Sequence, residues 1–244
     1  MVSGGLEFPE IADVYTRYAA LTALSADLGG LLLLYSGLDR AGIALAIASN
    51  VAGSASLGIE SEAARAKSAL RAGVCDFVVN NLDEALRILK NEIRKRRAVS
   101  VVLTGGVSEV VAEMVERGVQ PEVLAFSVPE LMERGALLLA KDAGSELVPV
   151  RWSVAAEPLR WLPALDAMAA AAIEKSTPGA DARVRWLEAS PRYLGRAFAG
   201  QRFLRMTDAE ADAFVVAVRA AVGAGAVAVA VSIQRGQDAI SIKP

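Results

Sequence analysis

The first half of the chain alternates apolar strands, glycine turns and helices, and this alternation most limits what it can fold into. Residues 31–35 form the uninterrupted apolar run Leu-Leu-Leu-Leu-Tyr, and the turn Ser-Gly-Leu-Asp-Arg-Ala-Gly follows over 36–42. A helix rich in small residues is predicted from Ile43 to Val51, and a second strand ends at Glu60. A strand, a glycine turn and a helix in this order outline a dinucleotide-binding βαβ unit.

The alternation continues to about residue 128. After a first helix over 9–24 and the strand at 31–35, the pattern predicts four further strands, at 54–60, 74–79, 98–103 and 123–127. A helix is predicted after each strand, and the last begins at Pro129 and reaches about Ala143. This spacing favours an α/β fold: a Rossmann-like, doubly wound parallel sheet with helices on both faces and right-handed crossovers.

The second half has a different pattern. It predicts strands over 147–155, 183–188, 226–233 and 239–242, with helices over 157–175 and from Thr207 to about Val222. We therefore predict a Rossmann-like, nucleotide-binding-type domain over residues 1–145. A smaller C-terminal α/β portion covers 146–244, and it either continues the same sheet or forms a lobe of its own.

Charge and hydropathy limit the classes of partner. The net charge of −2 predicts no nucleic acid and no anionic membrane as a partner. The basic run from Arg94 to Arg97 closes a predicted helix, where cations suit the helix dipole. We find no signal-peptide pattern and no apolar run long enough to cross a membrane, so we expect a cytoplasmic protein.

The absence of histidine excludes several kinds of catalytic and metal site. With no histidine and one cysteine, the chain can form neither a Ser-His-Asp triad nor a histidine metal site, and we expect no bound metal. Cys75 lies in the apolar run around residues 74–79, which predicts a buried core thiol. No residue stands out as catalytic.

The turn after the first strand departs from the dinucleotide pattern at one position. Gly37 and Gly42 stand at its two ends, but Asp39 occupies the place where a second glycine lets the backbone approach pyrophosphate. Glu60 follows at the distance of an acid that binds ribose. The alternative is a plain βαβ turn in which Asp39 caps the helix.

Two other turns follow predicted strands. Gly105, in Thr-Gly-Gly over 104–106, precedes a helix and forms either a second anion cradle or an ordinary turn. Ser127 lies at the carboxyl end of its strand, where open α/β sheets bind ligands, although helix capping explains it equally well.

Several segments resemble the urocanase (urocanate hydratase) family. Residues 72–86, AGVCDFVVNNLDEAL, are similar to the "GxVD…xLDEAL" stretch of its central domain, and residues 116–123, ERGVQPEV, to its "LLxRGVxPDV". Residues 32–46 lie where the family has its glycine turn "GLGGMGGAQP". Residues 182–187 and 231–237 resemble "ARICWLG" and "VSIHHGGG", in family order.

This resemblance implies a Rossmann-like domain that holds NAD⁺, which urocanase uses as an electrophile to add water across urocanate. Gly37, Leu38 and Gly42 match the family's glycine turn, while Glu60 and Gly105 match its acid and its later glycine. Together with the residues that differ from the family, the candidate cofactor-binding residues are Gly37, Leu38, Asp39, Arg40, Gly42, Glu60, Gly105 and Ser127.

The residues that differ from the family's motifs lie at positions that would contact cofactor or substrate. Asp39 and Arg40 replace two glycines, and Ala-Phe-Ser-Val over 125–128 replaces "TDQT". Gln234 and Arg235 replace the paired histidines. These changes argue against urocanate hydratase activity, because each removed polar group typically costs orders of magnitude in rate.

Three hypotheses remain open. The first is a non-catalytic binding protein that holds NAD, another nucleotide, another small ligand or nothing. The second is a diverged enzyme with new lyase, hydratase or NAD-dependent chemistry at the strand ends. Its candidate residues are Asp39, Arg40, Glu60, Ser127, Arg235 and Asp238. The third is a structural partner, and because urocanases are dimers the resemblance implies a homodimer.

Overall fold

The chain divides into two compact units. The computed structural model describes residues 6–140, 146–195, 198 and 200–244. Residues 1–143 form unit 1 and residues 144–244 form unit 2. The boundary predicted after residue 145 lies beside the segment 141–145, which is outside the described residues. No helix in the described part of the chain is long and apolar enough to cross a membrane.

Unit 1 is built on a six-stranded sheet in which all the strand pairs are parallel. Its strands are β1 (Leu32–Ser36), β2 (Ala55–Glu60), β3 (Phe77–Val79), β4 (Val99–Thr104), β5 (Val123–Leu124) and β6 (Leu137–Leu138). Their order across the sheet is β3-β4-β2-β1-β5-β6. The chain builds one side of β1 first and then crosses to the other, so the switch point lies between β1 and β5. Open α/β sheets bind ligands at such a point.

Helices cover both faces of this sheet, which confirms the Rossmann-like α/β fold. They are α1 (Ile11–Leu24), α2 (Arg40–Ala52), α3 (Ala63–Ala72), α4 (Leu82–Arg94), α5 (Val107–Glu116) and α6 (Pro129–Glu133). Leu34 of β1 shares one core with Leu86 of α4 and Met114 of α5. Helix α2 is buried from Gly42 to Ala52, because α1 packs on the side that the sheet leaves open.

Several predicted helices and strands of unit 1 have different bounds in the structure. The sequence indicates Ser61 as the cap of the helix after β2, but α3 begins at Ala63 with Glu62 at the N-cap position. Helix α6 ends at Glu133, because the chain turns at Gly135 (φ +102°) into β6, a strand that sequence patterns did not predict. The remainder of that predicted helix, 141–143, lies outside the described residues. Strands β3 and β5 are shorter than predicted, although Cys75 is buried as expected.

Unit 2 has its own four-stranded antiparallel sheet, of order β10-β9-β7-β8. Its elements are β7 (Val148–Val154), α7 (Pro158–Ala172), α8 (Ala180–Tyr193), β8 (Gln201–Met206), α9 (Asp208–Gly223), β9 (Val231–Arg235) and β10 (Asp238–Ile242). The strand predicted over 183–188 is wrong, since these residues belong to α8. Arg183, Trp186, Leu187 and Ser190 are buried at helical spacing, which outweighs the apparent alternation.

The described residues of unit 2 include two buried ion pairs. Arg183 of α8 pairs with Glu210 of α9, and both side chains are almost fully buried. Burial alone would raise the pKa of Glu210, but hydrogen bonds from Arg183 and from backbone N–H groups outweigh it and lower the pKa to about 2. Arg202 of β8 pairs with Asp166 of α7 at 2.9 Å. Burial raises the pKa of Asp166, although Arg202 opposes that shift.

Candidate functional site

The turn after β1 needs its two glycines for different reasons. Gly37 has φ +77°, the left-handed region that favours glycine. At Gly42, an added Cβ would lie 2.0 Å from the carbonyl oxygen of Gly37. The start of α2 therefore packs directly against the turn, as the last glycine of a dinucleotide turn allows. The backbone of this turn keeps the dinucleotide-type geometry at both ends.

Asp39 caps helix α2. It is the N-cap residue with extended backbone (φ −73°, ψ −175°), and its Oδ1 accepts a hydrogen bond of 2.9 Å from the N–H of Gly42. Asp39 therefore makes the helix cap that the sequence offered as one interpretation of this turn. The carboxylate stands at the positive end of the α2 dipole, where dinucleotide-binding domains hold pyrophosphate.

Glu60, the predicted ribose ligand, is turned into the protein. Its side chain is 2% exposed. One carboxylate oxygen accepts from the N–H of Leu38 at 2.8 Å, and the other accepts from the N–H of Glu62 at 2.8 Å. The guanidinium of Arg65 lies 3.7 Å from the same carboxylate. Glu60 therefore joins the turn after β1 to the turn after β2.

Arg65 also belongs to this group of interacting residues, although sequence patterns did not single it out. It also pairs with Glu62 at 3.1 Å and is one third exposed. The sequence signal for Arg65 was its position in the first turn of the helix that follows Glu60, because that turn begins close to the strand end.

The turn after β4, which also lies at the carboxyl edge of the sheet, is filled by backbone and side-chain groups of the chain itself. The N–H of Gly105 donates to the carbonyl oxygen of Glu60 at 3.0 Å. The hydroxyl of Thr104 donates to Asn80 Oδ1 at 2.8 Å. A Cβ added at Gly106 would lie 1.7 Å from Glu109 Oε2, so the Glu109 carboxylate lies against this glycine at the start of α5. Sequence patterns did not single out Glu109.

Ser127 lies beside the switch point but binds none of the turn residues. Strand β5 pairs with β1 in the register Leu34 to Leu124, so the chain after β5 runs beside the turn after β1. Ser127 is exposed there, and its hydroxyl lies 3.7 Å from the sulfur of Met132.

The cationic candidates are held by partners of their own. Arg40 points to the N-terminal segment, where it lies 3.3 Å from Glu7 and 3.9 Å from Asp13. In unit 2, Arg235 pairs with Asp208 and Asp212. Asp238 is exposed and lies opposite Arg235 in the β9–β10 hairpin.

The structure thus brings together one subset of the candidates. Gly37, Leu38, Asp39, Gly42 and Glu60 form a single hydrogen-bonded turn, to which Gly105 is joined through the Glu60 carbonyl.

The residues of this turn do not fit a dinucleotide in their present arrangement. Its backbone has a suitable shape, but the N–H groups of Leu38 and Gly42 already bind carboxylates. Pyrophosphate would meet the negative charge of Asp39, and the ribose hydroxyls would meet a Glu60 side chain that is buried. NAD would therefore require both carboxylates to move.

Other kinds of site have little support in the described residues. No group of three or more cysteine, aspartate or glutamate side chains there could hold a metal ion. Unit 2 contains a cavity of about 290 Å³ between α7 and α8. Its lining includes Ile173, Lys175, Asp181, Val184 and Arg185, and none of the predicted site residues lines it.

Comparison with known protein families identifies a related domain. Residues 14–127 match the family model of the urocanase Rossmann-like domain. The matched segment covers just under half of the chain and runs from α1 to the end of the turn after β5. The match confirms the resemblance of residues 32–46, 72–86 and 116–123 to this family, and it includes every candidate residue of unit 1.

Proposed function

Because the chain carries a urocanase Rossmann-like domain, we propose that it is a urocanase-related protein without urocanate hydratase activity. In this proposal its own carboxylates occupy the turn that would otherwise receive a dinucleotide cofactor. The observation that carries the proposal is the pair of carboxylates, Asp39 and Glu60, bonded to the N–H groups of Gly42 and Leu38.

Repulsion between the Asp39 carboxylate and a pyrophosphate group would weaken NAD binding at this turn. Two like charges about 4 Å apart repel by about 4 kcal/mol at an effective dielectric constant near 20. A penalty of that size weakens binding roughly a thousandfold. The helix N-terminus would ordinarily attract phosphate, but the exposed Asp39 carboxylate already caps it. The turn is held together without a nucleotide.

The residues that replace the paired histidines of the family support the same proposal. Gln234 and Arg235 stand where the resemblance places paired histidines. The Arg235 guanidinium is held by Asp208 and Asp212 in unit 2. A cation paired with two carboxylates is a poor replacement for imidazole as an acid or base, because arginine does not lose its proton in proteins.

A turnover assay with a thermal-shift measurement tests this proposal. The full chain is incubated with urocanate and NAD⁺, and urocanate is followed by its ultraviolet absorbance. We expect no loss of urocanate and no rise in melting temperature with NAD⁺, NADP⁺ or ADP-ribose at concentrations near 1 mM. Catalytic loss of urocanate would overturn the proposal, and so would a dose-dependent rise in melting temperature.

The alternative of a diverged enzyme has no specific observation in its favour. Its candidate residues are engaged by different partners: Asp39 by the backbone of α2, Arg40 by Glu7, and Arg235 by Asp208 and Asp212. The homodimer remains a prediction, which light scattering tests by mass.

A further inference from the structure

We infer that the outward side of helix α4, together with the edge strand β3, binds single-stranded nucleic acid through its phosphate backbone. Arg87, Lys90 and Arg94 are spaced at i, i+3 and i+7, which places them on one side of the helix. All three are exposed, and so is Arg97 just beyond the helix. We call these four residues the basic face.

The cations of the basic face are not neutralised within the described structure. Among residues 6–140, 146–195, 198 and 200–244, no carboxylate lies within ion-pair distance of any of the four. The two basic residues between Arg94 and Arg97 differ, because Lys95 pairs with Glu92 and Arg96 pairs with Asp27. Lys95 lowers the pKa of the Glu92 carboxyl, and Arg97 lies close enough to help. The free positive charge of the basic face therefore comes chiefly from Arg87, Lys90 and Arg94.

The chemistry of α4 favours a polyanion over a membrane surface. Its apolar side is used by the core, where Leu82, Leu86 and Leu89 are buried. The outward side offers cations without an apolar stripe, whereas helices that lie on membranes insert such a stripe. Exposed lysine and arginine side chains of this kind bind the negatively charged phosphate backbone of nucleic acids.

An exposed aromatic ring lies on the strand that leads into α4. Phe77 of β3 is 45% exposed, and β3 is an outer strand of the sheet. Flat aromatic side chains beside a basic surface stack the bases of single strands, which paired duplex bases would not permit. This ring favours a single strand over a duplex.

The net charge of −2 by itself predicts no nucleic acid as a partner, but the acidic and basic residues of unit 1 lie in different places. Asp39, Glu60 and Glu109 lie at the carboxyl edge of the sheet, while Arg94 ends α4 at the amino edge. Helix α4 has 13 residues and is about 20 Å long. Because charges are screened within roughly 8 Å at physiological salt, these distant acids do not cancel the basic face. Of the two acids in the first turn of α4 itself, Asp83 pairs with Arg117, and Glu84 lies one helical turn before Arg87.

Fluorescence anisotropy with labelled oligouridine and oligothymidine tests this inference on the full chain. Four neutralised phosphates predict a slope of about −3 for the logarithm of affinity against the logarithm of salt. Raising salt from about 50 mM to about 200 mM should therefore weaken binding roughly 50-fold.

Matched variants separate the basic face from general charge. R87Q/K90Q/R94Q should weaken binding at low salt at least tenfold and reduce the slope to about −1. K175Q/R192Q/R219Q removes the same charge from exposed positions of unit 2 and should bind within about twofold of the parent chain. Phe77→Ala should weaken binding about fivefold or more without changing the slope, because it removes stacking alone.

Three results would overturn the inference. One is no anisotropy change at low salt with about 100 μM protein. Another is an equal loss in the two triple variants, each checked for its folded state by circular dichroism. The third is binding to phosphatidylserine vesicles but to neither oligonucleotide, which would identify a membrane surface. Each result leaves the proposal on the cofactor turn unaffected, because the basic face shares no residue with that turn.

Discussion

The two units use buried carboxylates in opposite ways. In unit 1, Glu60 binds backbone N–H groups of two turns, and the nearest guanidinium, that of Arg65, is 3.7 Å away. In unit 2, Glu210 is paired directly with Arg183 and also accepts from the N–H groups of Glu174 and Thr207. The unit 2 pair fastens three segments of the core together. The unit 1 carboxylate instead fills a turn whose backbone has the shape of a ligand site.

The largest effect is expected in unit 2. Glu210→Gln keeps the shape of the side chain but leaves the buried Arg183 without a counter-charge, so we expect a loss of about 3–5 kcal/mol in the free energy of unfolding. Urea denaturation measures it. The double variant R183M/E210L should recover part of the loss, because replacing a whole buried pair by apolar groups is often neutral. The recovery is incomplete because the N–H groups of Glu174 and Thr207 lose their acceptor. A loss below about 1 kcal/mol in Glu210→Gln would contradict the ion-pair description.

The same pair predicts the acid sensitivity of unit 2. The folded-state pKa of Glu210 is lowered from its usual 4.5 to about 2. A lowered pKa means that the stabilisation is complete above about pH 5 and is lost as the pH falls towards 2, by about 3 kcal/mol in all. Unfolding followed from pH 6 to pH 2 should show this loss in the parent chain and a smaller one in R183M/E210L. Equal losses in both would contradict it.

A smaller effect is expected when the turn of unit 1 is altered. Glu60→Gln can accept from the N–H of Leu38 or from that of Glu62 through its one carbonyl oxygen, so one buried donor faces an amide nitrogen. We expect a loss of about 1–3 kcal/mol, read from urea unfolding. The matched variant Glu62→Gln, at an exposed position, should change stability by less than about 0.5 kcal/mol. Similar values for the two would mean that the Glu60 carboxylate does not hold the turn.

The smallest effects separate Asp39 from its neighbour. Asp39→Ala removes the helix cap and should cost about 1 kcal/mol, whereas Asp39→Gly should cost only a few tenths. Arg40→Gln breaks an exposed ion pair with Glu7 and should cost about 0.5 kcal/mol or less. Thermal unfolding ranks the three variants. A larger loss in Arg40→Gln than in Asp39→Ala would contradict the assignment of Asp39 as the cap.

Local chemistry made some of these features predictable from sequence. The sequence Asn-Leu-Asp-Glu over 81–84 is typical of a capped helix start, and Asn81 Oδ1 accepts from the N–H of Glu84 at 2.9 Å. Thr207 was predicted to begin a helix, and it forms a capping box with Glu210. Caps depend on residues three apart in the chain, so a short window contains the whole interaction.

Features that depend on distant contacts could not be predicted in this way. The direction of the Glu60 side chain is set by Leu38, 22 residues earlier in the chain. Residues 183–188 alternate like a strand, but burial of Trp186 and the ion pair of Arg183 with Glu210 favour the helix. Strand β6 contains two residues, and its pairing with β5 places it in the sheet. Tertiary contacts decide each case, so local propensity carries little information there.

We propose that carboxylates of the chain itself close the cofactor turn, and calorimetric titration of the parent protein with NAD⁺ is the sharpest test of that claim. The variant D39G/R40G, which restores the two glycines of the urocanase pattern, is titrated beside it. We predict no saturable heat for the parent chain at NAD⁺ concentrations up to about 1 mM, and stronger NAD⁺ binding in the variant than in the parent. One-to-one binding by the parent chain with a dissociation constant below about 1 mM would contradict the claim.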